Sequence, residues 1–117
     1  SWLAVIAEDN HENWLLRRVN TGPILRGLWL PPFAEVDSRC AFTDQAASLL
    51  PFAVDEPLTV CEPIKHSITH RRILVTPARV ASGNRSPLPN GWRWASPYSP
   101  GLPTSSLLEK LARHLGV

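Results

Sequence analysis

Residues 64–81 read IKHSITHRRILVTPARVA, and this stretch determines the fold that we expect for the chain. Isoleucine and histidine take the even positions from 64 to 70, and polar or charged residues take the odd positions. Alternation with a period of two is typical of a β-strand, so we expect one long β-hairpin or a bent pair of strands over 64–81. Pro77 cannot donate a ladder hydrogen bond, which predicts a sheet edge or a β-bulge at that position.

The segments that precede this stretch predict further strands. WLAVIA (2–7) and WLLRR (14–18) flank the polar run EDNHEN, which is typical of a hairpin. Their continuous apolar character indicates strands that are buried on both faces. Residues 28–30 form another short run, which two prolines end. WRWAS (92–96) predicts a short strand whose two tryptophans share one face and cover the core.

One internal helix is predicted over FTDQAASLL (42–50). Thr43 is a suitable N-cap, Asp44 complements the helix dipole, and Pro51 ends the segment.

The strongest helix signal lies at the end of the chain. Ser106 and Glu109 have the spacing of a capping box, leucines at 107, 108, 111 and 115 form an apolar stripe, and Gly116 supplies a stop. The order hairpin, helix, hairpin, strand, helix predicts an α+β fold.

Length and composition favour one folded domain over residues 1–117. The chain has 44% hydrophobic residues and five tryptophans, and no apolar run is long enough to cross a membrane. No secretion signal opens the sequence, so we expect a cytoplasmic protein. Because the chain has no methionine, we expect it to be one part of a larger protein. Cys40 and Cys61 cannot form a metal site alone and are expected to be buried, reduced thiols.

The charges divide along the chain. Residues 1–62 contain nine acidic and four basic residues, whereas residues 63–108 contain six basic residues and no acid. An acid-free basic stretch favours a face that contacts a polyanion, and the alternative is a solvated face that balances an acidic half.

The heptapeptide HSITHRR (66–72) concentrates imidazoles, hydroxyls and guanidiniums. His66 and His70 are four positions apart, which on a strand separates them by roughly 13 Å, too far to bind one metal ion. No carboxylate lies nearby to orient an imidazole for nucleophilic catalysis. The remaining interpretation is that this segment recognises a base edge and phosphates. The alternative is that His66 and His70 are partly buried residues of the sheet.

Three motifs in order resemble the C-terminal, Nudix-like domain of the MutY-type adenine DNA glycosylases. They are Gly27-Leu28-Trp29 within WLLRRVNTGPILRGLWLPPFAEV, His66 with Ile68-Thr69-His70 within HSITHRRILV, and Leu102-Pro103-Thr104 before the last helix. The resemblance covers residues 2–115.

This resemblance implies a mixed β-sheet flanked by helices, without a functional Nudix box. The whole enzyme would excise adenine mispaired with 8-oxoguanine, and this chain would recognise 8-oxoguanine in double-stranded DNA. The catalytic domain, with a 4Fe-4S iron–sulfur cluster, would be the N-terminal part of the same bacterial protein. No metal or cofactor is expected in the present chain.

The resemblance also assigns the contacts. Thr69 would bind the oxidised edge of the base, with Ile68 beside the base and His70 at the phosphate or supporting the loop. Arg71 and Arg72 would bind phosphates. Two further residues complete the expected DNA-binding set, Lys65 and His66.

Two other functions remain open. A Nudix hydrolase needs several carboxylates on one helix for magnesium, but residues 31–50 contain only Glu35, Asp37 and Asp44 as acids. A protein-interaction module is favoured if the basic residues at 65, 71, 72 and 79 scatter over the surface.

Overall fold

The strands and helices follow the predicted order. The computed structural model describes residues 1–9, 12–20, 25–54, 57–68, 71–81, 88–98 and 101–116, and at 68 and 71 it describes the backbone alone. Within these residues the elements are β1 (Trp2–Glu8), β2 (Trp14–Arg18), β3 (Trp29–Leu30), β4 (Phe33–Glu35), α1 (Phe42–Ser48), β5 (Thr59–Val60), β6 (Ile64–Ile68), β7 (Arg71–Ala81), β8 (Trp92–Ala95) and α2 (Ser106–His114).

The apolar strand β1 lies inside a mixed sheet. It pairs in parallel with β7, from Trp2 opposite Val75 to Glu8 opposite Ala81, and antiparallel with β4 and, at its end, β2. The strand order is β3-β2-β1-β7-β5, while β6 also pairs with β7 and β8 with β2. Residues 3–7 are buried, because neighbouring strands pair with β1 and the two faces of the sheet are covered. Both predicted hairpins, 2–18 and 64–81, are therefore confirmed.

Two hydrophobic clusters pack on opposite faces of the sheet, and each includes one helix. The α2 face contains Ala4, Ile6, Trp14, Leu16, Leu30, Ile64, Val75, Leu107, Leu108, Leu111 and Ala112. The α1 face contains Leu3, Val5, Ala7, Leu15, Ala46, Leu50, Ala78 and Val80. This arrangement of helices around a mixed sheet is the expected α+β architecture.

A β-bulge lies next to Pro77, as predicted, but the alternative prediction, that this proline lies at an edge of the sheet, is wrong. Pro77 belongs to β7, pairs with Ala4 of β1, and accepts a hydrogen bond from the Cys61 amide on its other side (2.8 Å). Val60 pairs with Ala78 and Ile64 with Val75, so the outer strand has one residue more than β7 in this interval. The extra residue is the bulge.

Helix α1 begins two residues earlier than a Thr43 cap requires. Its N-cap is Ala41, which makes no side-chain capping bond, and Thr43 lies inside the first turn. Phe42 is partly buried against the α1-face cluster, so packing determines where this helix begins. Asp44 does lie in the first turn, as expected.

Helix α2 is also capped one position before the predicted serine. Ser105 has extended backbone, and its Oγ accepts a hydrogen bond from the Leu107 amide (3.1 Å). Glu109 pairs with Arg113 instead of closing a capping box with Ser106. The predicted leucine stripe and the stop at Gly116, which has φ +72°, are confirmed.

We expect Ser105→Ala to lower the free energy of unfolding by about 1 kcal/mol, because the Leu107 amide loses its acceptor. Ser106→Ala is the matched control, and its effect should be only a few tenths of a kcal/mol, because Ser106 is already helical. Urea unfolding of both variants measures the difference. Equal losses in the two variants would contradict this assignment of the cap.

The two cysteines are free, not joined by a disulfide, but their predicted burial is wrong. Cys40 is exposed in a turn and Cys61 is partly exposed beside β5. In the described part of the chain, no helix has the length and apolar character needed to cross a membrane.

Candidate nucleic-acid interface

The β6–β7 hairpin extends past the body of the sheet. Val75 is level with Trp2, the first residue of β1, and β7 begins four residues earlier at Arg71. Four strand residues correspond to about 13 Å, so the hairpin projects by roughly that distance. The last described pair is Ile68 with Arg71. Thr69 and His70, which follow Ile68 in the chain, lie outside the described residues.

One face of this hairpin carries polar and basic side chains. Lys65 pairs with Leu74 and Ser67 with Arg72, and all four are exposed. They share the face of the sheet on which α1 packs, but α1 contacts β1 and leaves this end uncovered. Ion pairs in the described residues join Arg39 to Asp37, Arg79 to Glu8 and Arg113 to Glu109, so Lys65 and Arg72 have no acidic partner there. Their charges are available to a polyanion.

The opposite face of the hairpin lies under α2. His66 shares this face with Ile64 and is only 7% exposed, and within the described residues its Nδ1 has no hydrogen-bond partner. Burial lowers the pKa of His66, and the nearby charge of Lys110 lowers it further. This position favours the structural role that the sequence left open for His66, and we leave this residue out of the candidate contact surface.

Stability should therefore fall on acidification. The pKa of His66 lies below its ordinary value of 6.5 in the folded chain, so the unfolded chain binds this proton at a higher pH. The resulting stabilisation of the folded state is complete above pH 6.5 and is lost as the pH falls towards the folded pKa. Urea unfolding between pH 8 and pH 5 should show a shallower decline for His66→Gln than for the parent. Parallel declines in the two proteins would exclude this role.

Two side chains of α2 attach the helix to β6 and to the segment just before this strand. Lys110 Nζ donates to the carbonyl oxygen of Lys65 (2.9 Å), and His114 Nε2 lies 2.8 Å from the carbonyl oxygen of Glu62. Residues four apart share one side of a helix, so the spacing of Lys110 and His114 was a signal that they act together. Sequence reasoning did not use it. These contacts help to hold the hairpin against α2.

The remaining basic residues of the acid-free stretch do not join this surface. Arg79 is at the far end of β7, about 26 Å along the strand from Arg71. Its Nε donates to Glu8 (2.8 Å). Arg93 lies on β8 over the ring of Trp29 (5.9 Å), and residue 85 lies outside the described residues. The expectation that residues 63–108 present one basic face is therefore wrong, because β7 and β8 carry their arginines to different parts of the sheet.

The tryptophans of β8 cover the core, as predicted. Trp92 and Trp94 are partly buried against the α1-face cluster, and Trp94 stacks on Phe52 with ring centroids 6.5 Å apart. The guanidinium of Arg17 lies over the Trp92 ring (5.4 Å). The tryptophan pair thus does not form the exposed apolar patch that a protein-interaction module would use.

The acids around α1 are dispersed. Asp44 and Glu35 are exposed, and Asp37 accepts hydrogen bonds from Arg39, whose side chain lowers the pKa of that carboxyl group. Among the described residues, no three histidine, cysteine, aspartate or glutamate side chains are grouped so that they could hold a metal ion.

No protein-family model and no curated protein matches this sequence. Solved structures do match. The C-terminal domain of mouse MUTYH, crystallised with human PCNA, has a TM-score of 0.77 at 18% identity, covering 98% of this chain and 86% of that one. A MutT protein from Methanosarcina mazei Go1 has a TM-score of 0.69 at 13% identity, with coverage of 99% and 94%. The NUDIX domain of Shewanella oneidensis NrtR, solved with ADP ribose, has a TM-score of 0.67 at 13% identity, with coverage of 97% and 86%. The fold is therefore Nudix-like, as expected.

Proposed function

We propose that this chain recognises 8-oxoguanine in double-stranded DNA, as the C-terminal domain of an adenine DNA glycosylase. The observation that carries the proposal is the projecting β6–β7 hairpin, in which exposed Lys65, Ser67 and Arg72 adjoin the segment that contains Thr69. The order of the three sequence motifs and the similarity to the MUTYH domain support the same assignment.

Thr69 suits the oxidised base for a chemical reason. Oxidation of guanine converts N7 from an acceptor into an N–H donor and adds a carbonyl oxygen at C8. A threonine hydroxyl both donates and accepts, so it can bind either feature, whereas guanine itself presents only an acceptor at N7. In the proposed complex the Thr69 hydroxyl accepts from the N7–H of 8-oxoguanine and donates its own proton elsewhere, so guanine, whose N7 only accepts, finds no donor there and the two bases are distinguished.

The neighbouring residues would position the base and its backbone. Ile68 packs beside the base, and His70 contacts phosphate or supports the hairpin end. Arg71, Arg72 and Lys65 neutralise phosphates, which orients the hairpin without reading sequence. Of these, Lys65 and Arg72 are exposed, and the remaining side chains lie outside what the structure describes.

The proposed function implies a second domain. Excision of adenine would be carried out by an N-terminal catalytic domain of the same protein, which would hold the 4Fe-4S iron–sulfur cluster. The present chain would be one domain over residues 1–117 and would need no cofactor of its own. The mouse MUTYH domain was solved with PCNA, which is a different partner from DNA.

Titration of the chain with matched duplexes tests the proposal. One duplex contains 8-oxoguanine opposite adenine, the other guanine opposite adenine, and backbone amide signals are followed by NMR. We expect the hairpin signals to shift more, and at lower concentration, with the oxidised duplex. Identical titrations would contradict recognition of the oxidised base.

The same Nudix-like fold occurs in the Methanosarcina MutT protein, so hydrolysis needs its own test. Incubation of the chain with Mg²⁺ and 8-oxo-dGTP should release no pyrophosphate. Turnover that depends on Mg²⁺ would replace the proposed function by a nucleotide hydrolase.

A further inference from the structure

A second group of basic residues lies at the other side of the sheet, around Trp29. Arg18 of β2 pairs directly with Trp29 of β3, and Arg93 of β8 places its guanidinium 5.9 Å from the centre of the same ring. Arg18 and Arg93 are exposed and Trp29 is partly exposed. Side chains at positions 16 and 18 of β2 share the α2 face, and Arg93 pairs with Leu16. All three residues therefore lie on one surface, here called the Trp29 surface.

The Trp29 surface carries positive charge without local neutralisation. Across the described ranges, ion pairs within 4.0 Å engage Arg39, Arg79 and Arg113, and neither Arg18 nor Arg93 is among them. Contact with the tryptophan holds the Arg93 guanidinium and leaves its N–H groups available to an acceptor. A planar guanidinium held in this way is suited to a phosphate oxygen, because less side-chain freedom is lost on binding.

Arg18 lies towards the end of the sheet from which the β6–β7 hairpin projects, but Arg93 is level with Ile6, and the Trp29 surface is on the α2 face, opposite to that of Lys65 and Arg72. Arg18 is the last residue of β2, which begins level with the end of β1 and runs back towards its start. The hairpin projects past that start. Three strand spacings, roughly 14 Å, separate β6 from β2. Duplex DNA carries one charge for about every 1.7 Å of its axis, so the phosphates of a bound duplex are spaced closely enough to meet both Arg18 and Arg93.

We propose that the Trp29 surface binds the phosphodiester backbone of DNA, through Arg18 and Arg93, as a contact separate from the hairpin. The choice of DNA as the partner rests on the proposed function. The contact is independent of base identity, because backbone phosphates carry no sequence information. It therefore contributes affinity, while the hairpin contributes discrimination.

Binding to an undamaged, fully paired duplex tests this contact separately from recognition of 8-oxoguanine. The variants are Arg18→Gln, Arg93→Gln and the double variant, with Arg113→Gln as the control. The control removes the same charge from an exposed arginine that pairs with Glu109 on α2. Fluorescence anisotropy with a labelled duplex gives the affinity at several salt concentrations, and circular dichroism verifies that each variant is folded.

Each substitution should lower the slope of log K against log salt by about 0.9, which at 0.1 M salt is roughly an eightfold loss of affinity. The double variant should lose roughly 60-fold if the two contacts are independent. Arg113→Gln should leave the slope unchanged. Slopes of both arginine variants equal to that of the parent would overturn the proposal.

A titration with polyglutamate separates DNA from an acidic protein segment. If both arginine variants keep the parent's affinity for DNA but lose affinity for polyglutamate, the surface binds protein and the proposal is wrong. A lower salt slope of the arginine variants on undamaged DNA supports the proposal, whether or not the parent protein distinguishes 8-oxoguanine from guanine. Equal binding of the 8-oxoguanine and guanine duplexes would count against the function proposed for the hairpin and not against this contact.

Discussion

Replacement of Leu111 by alanine is expected to lower the free energy of unfolding by about 2–5 kcal/mol. Leu111 is fully buried in α2 and belongs to the cluster that packs the helix against Trp14 and Leu16. Truncation removes apolar contacts and leaves a cavity, because the surrounding strands are fixed by their ladders and cannot close it. Urea unfolding monitored by tryptophan fluorescence measures this loss.

Leu74→Ala is the matched control for Leu111→Ala. Leu74 is 38% exposed on the projecting part of β7, so the same truncation should cost about 1 kcal/mol or less. Because α2 also holds the hairpin through Lys110, Leu111→Ala should in addition accelerate amide exchange in β6. Similar losses for the two leucines would show that α2 does not stabilise the core.

Replacement of Thr69 by alanine is expected to remove most of the preference for 8-oxoguanine over guanine. A hydrogen bond lost at a buried base edge costs about 1–3 kcal/mol, because the donor on the oxidised base is left without an acceptor. Affinity for the guanine duplex should change little, so the ratio of the two dissociation constants should approach one. Competition binding with both duplexes measures this ratio directly.

Ser67→Ala provides the control for Thr69→Ala. Ser67 is an exposed hydroxyl on the same hairpin, two residues before Thr69. If recognition depends on the position of the hydroxyl group, removal of the Ser67 hydroxyl should leave the ratio of the two dissociation constants as it is in the parent. An unchanged ratio in Thr69→Ala would remove this residue from the recognition site. Loss of the ratio in both variants would indicate a general disturbance of the hairpin.

Local patterns predicted the elements well, because each depends on neighbouring residues. The alternation over 64–70 predicts the β6–β7 hairpin, and the continuous apolar run at 2–7 predicts a strand buried on both faces. The predicted N-caps lie one or two residues from the observed ones. In α2 this is because two adjacent serines, Ser105 and Ser106, are both able to cap the helix. The extended backbone of Ser105 and the hydrogen bond that its Oγ accepts from Leu107 distinguish them.

Long-range features were beyond local patterns. The parallel pairing of β1 with β7 and the ion pair between Glu8 and Arg79 join residues about seventy positions apart. That pair withdraws one arginine from the expected basic face. His66 was assigned to the DNA-binding set as part of the segment HSITHRR, with a partly buried position in the sheet as the alternative. Its burial depends on α2, which lies forty residues later in the chain.

The contacts of α2 with β6 also bear on self-association. Strand β6 is at the side of the sheet, and in the described part of the chain its ladder partner is β7. An outer strand with free carbonyl groups is a template on which a second molecule can add a strand and begin to aggregate. Here the carbonyl oxygens of Lys65 and Glu62 already accept from Lys110 and His114. The side chains that fasten the helix therefore also leave fewer free carbonyl groups along this border of the sheet for a second molecule to pair with.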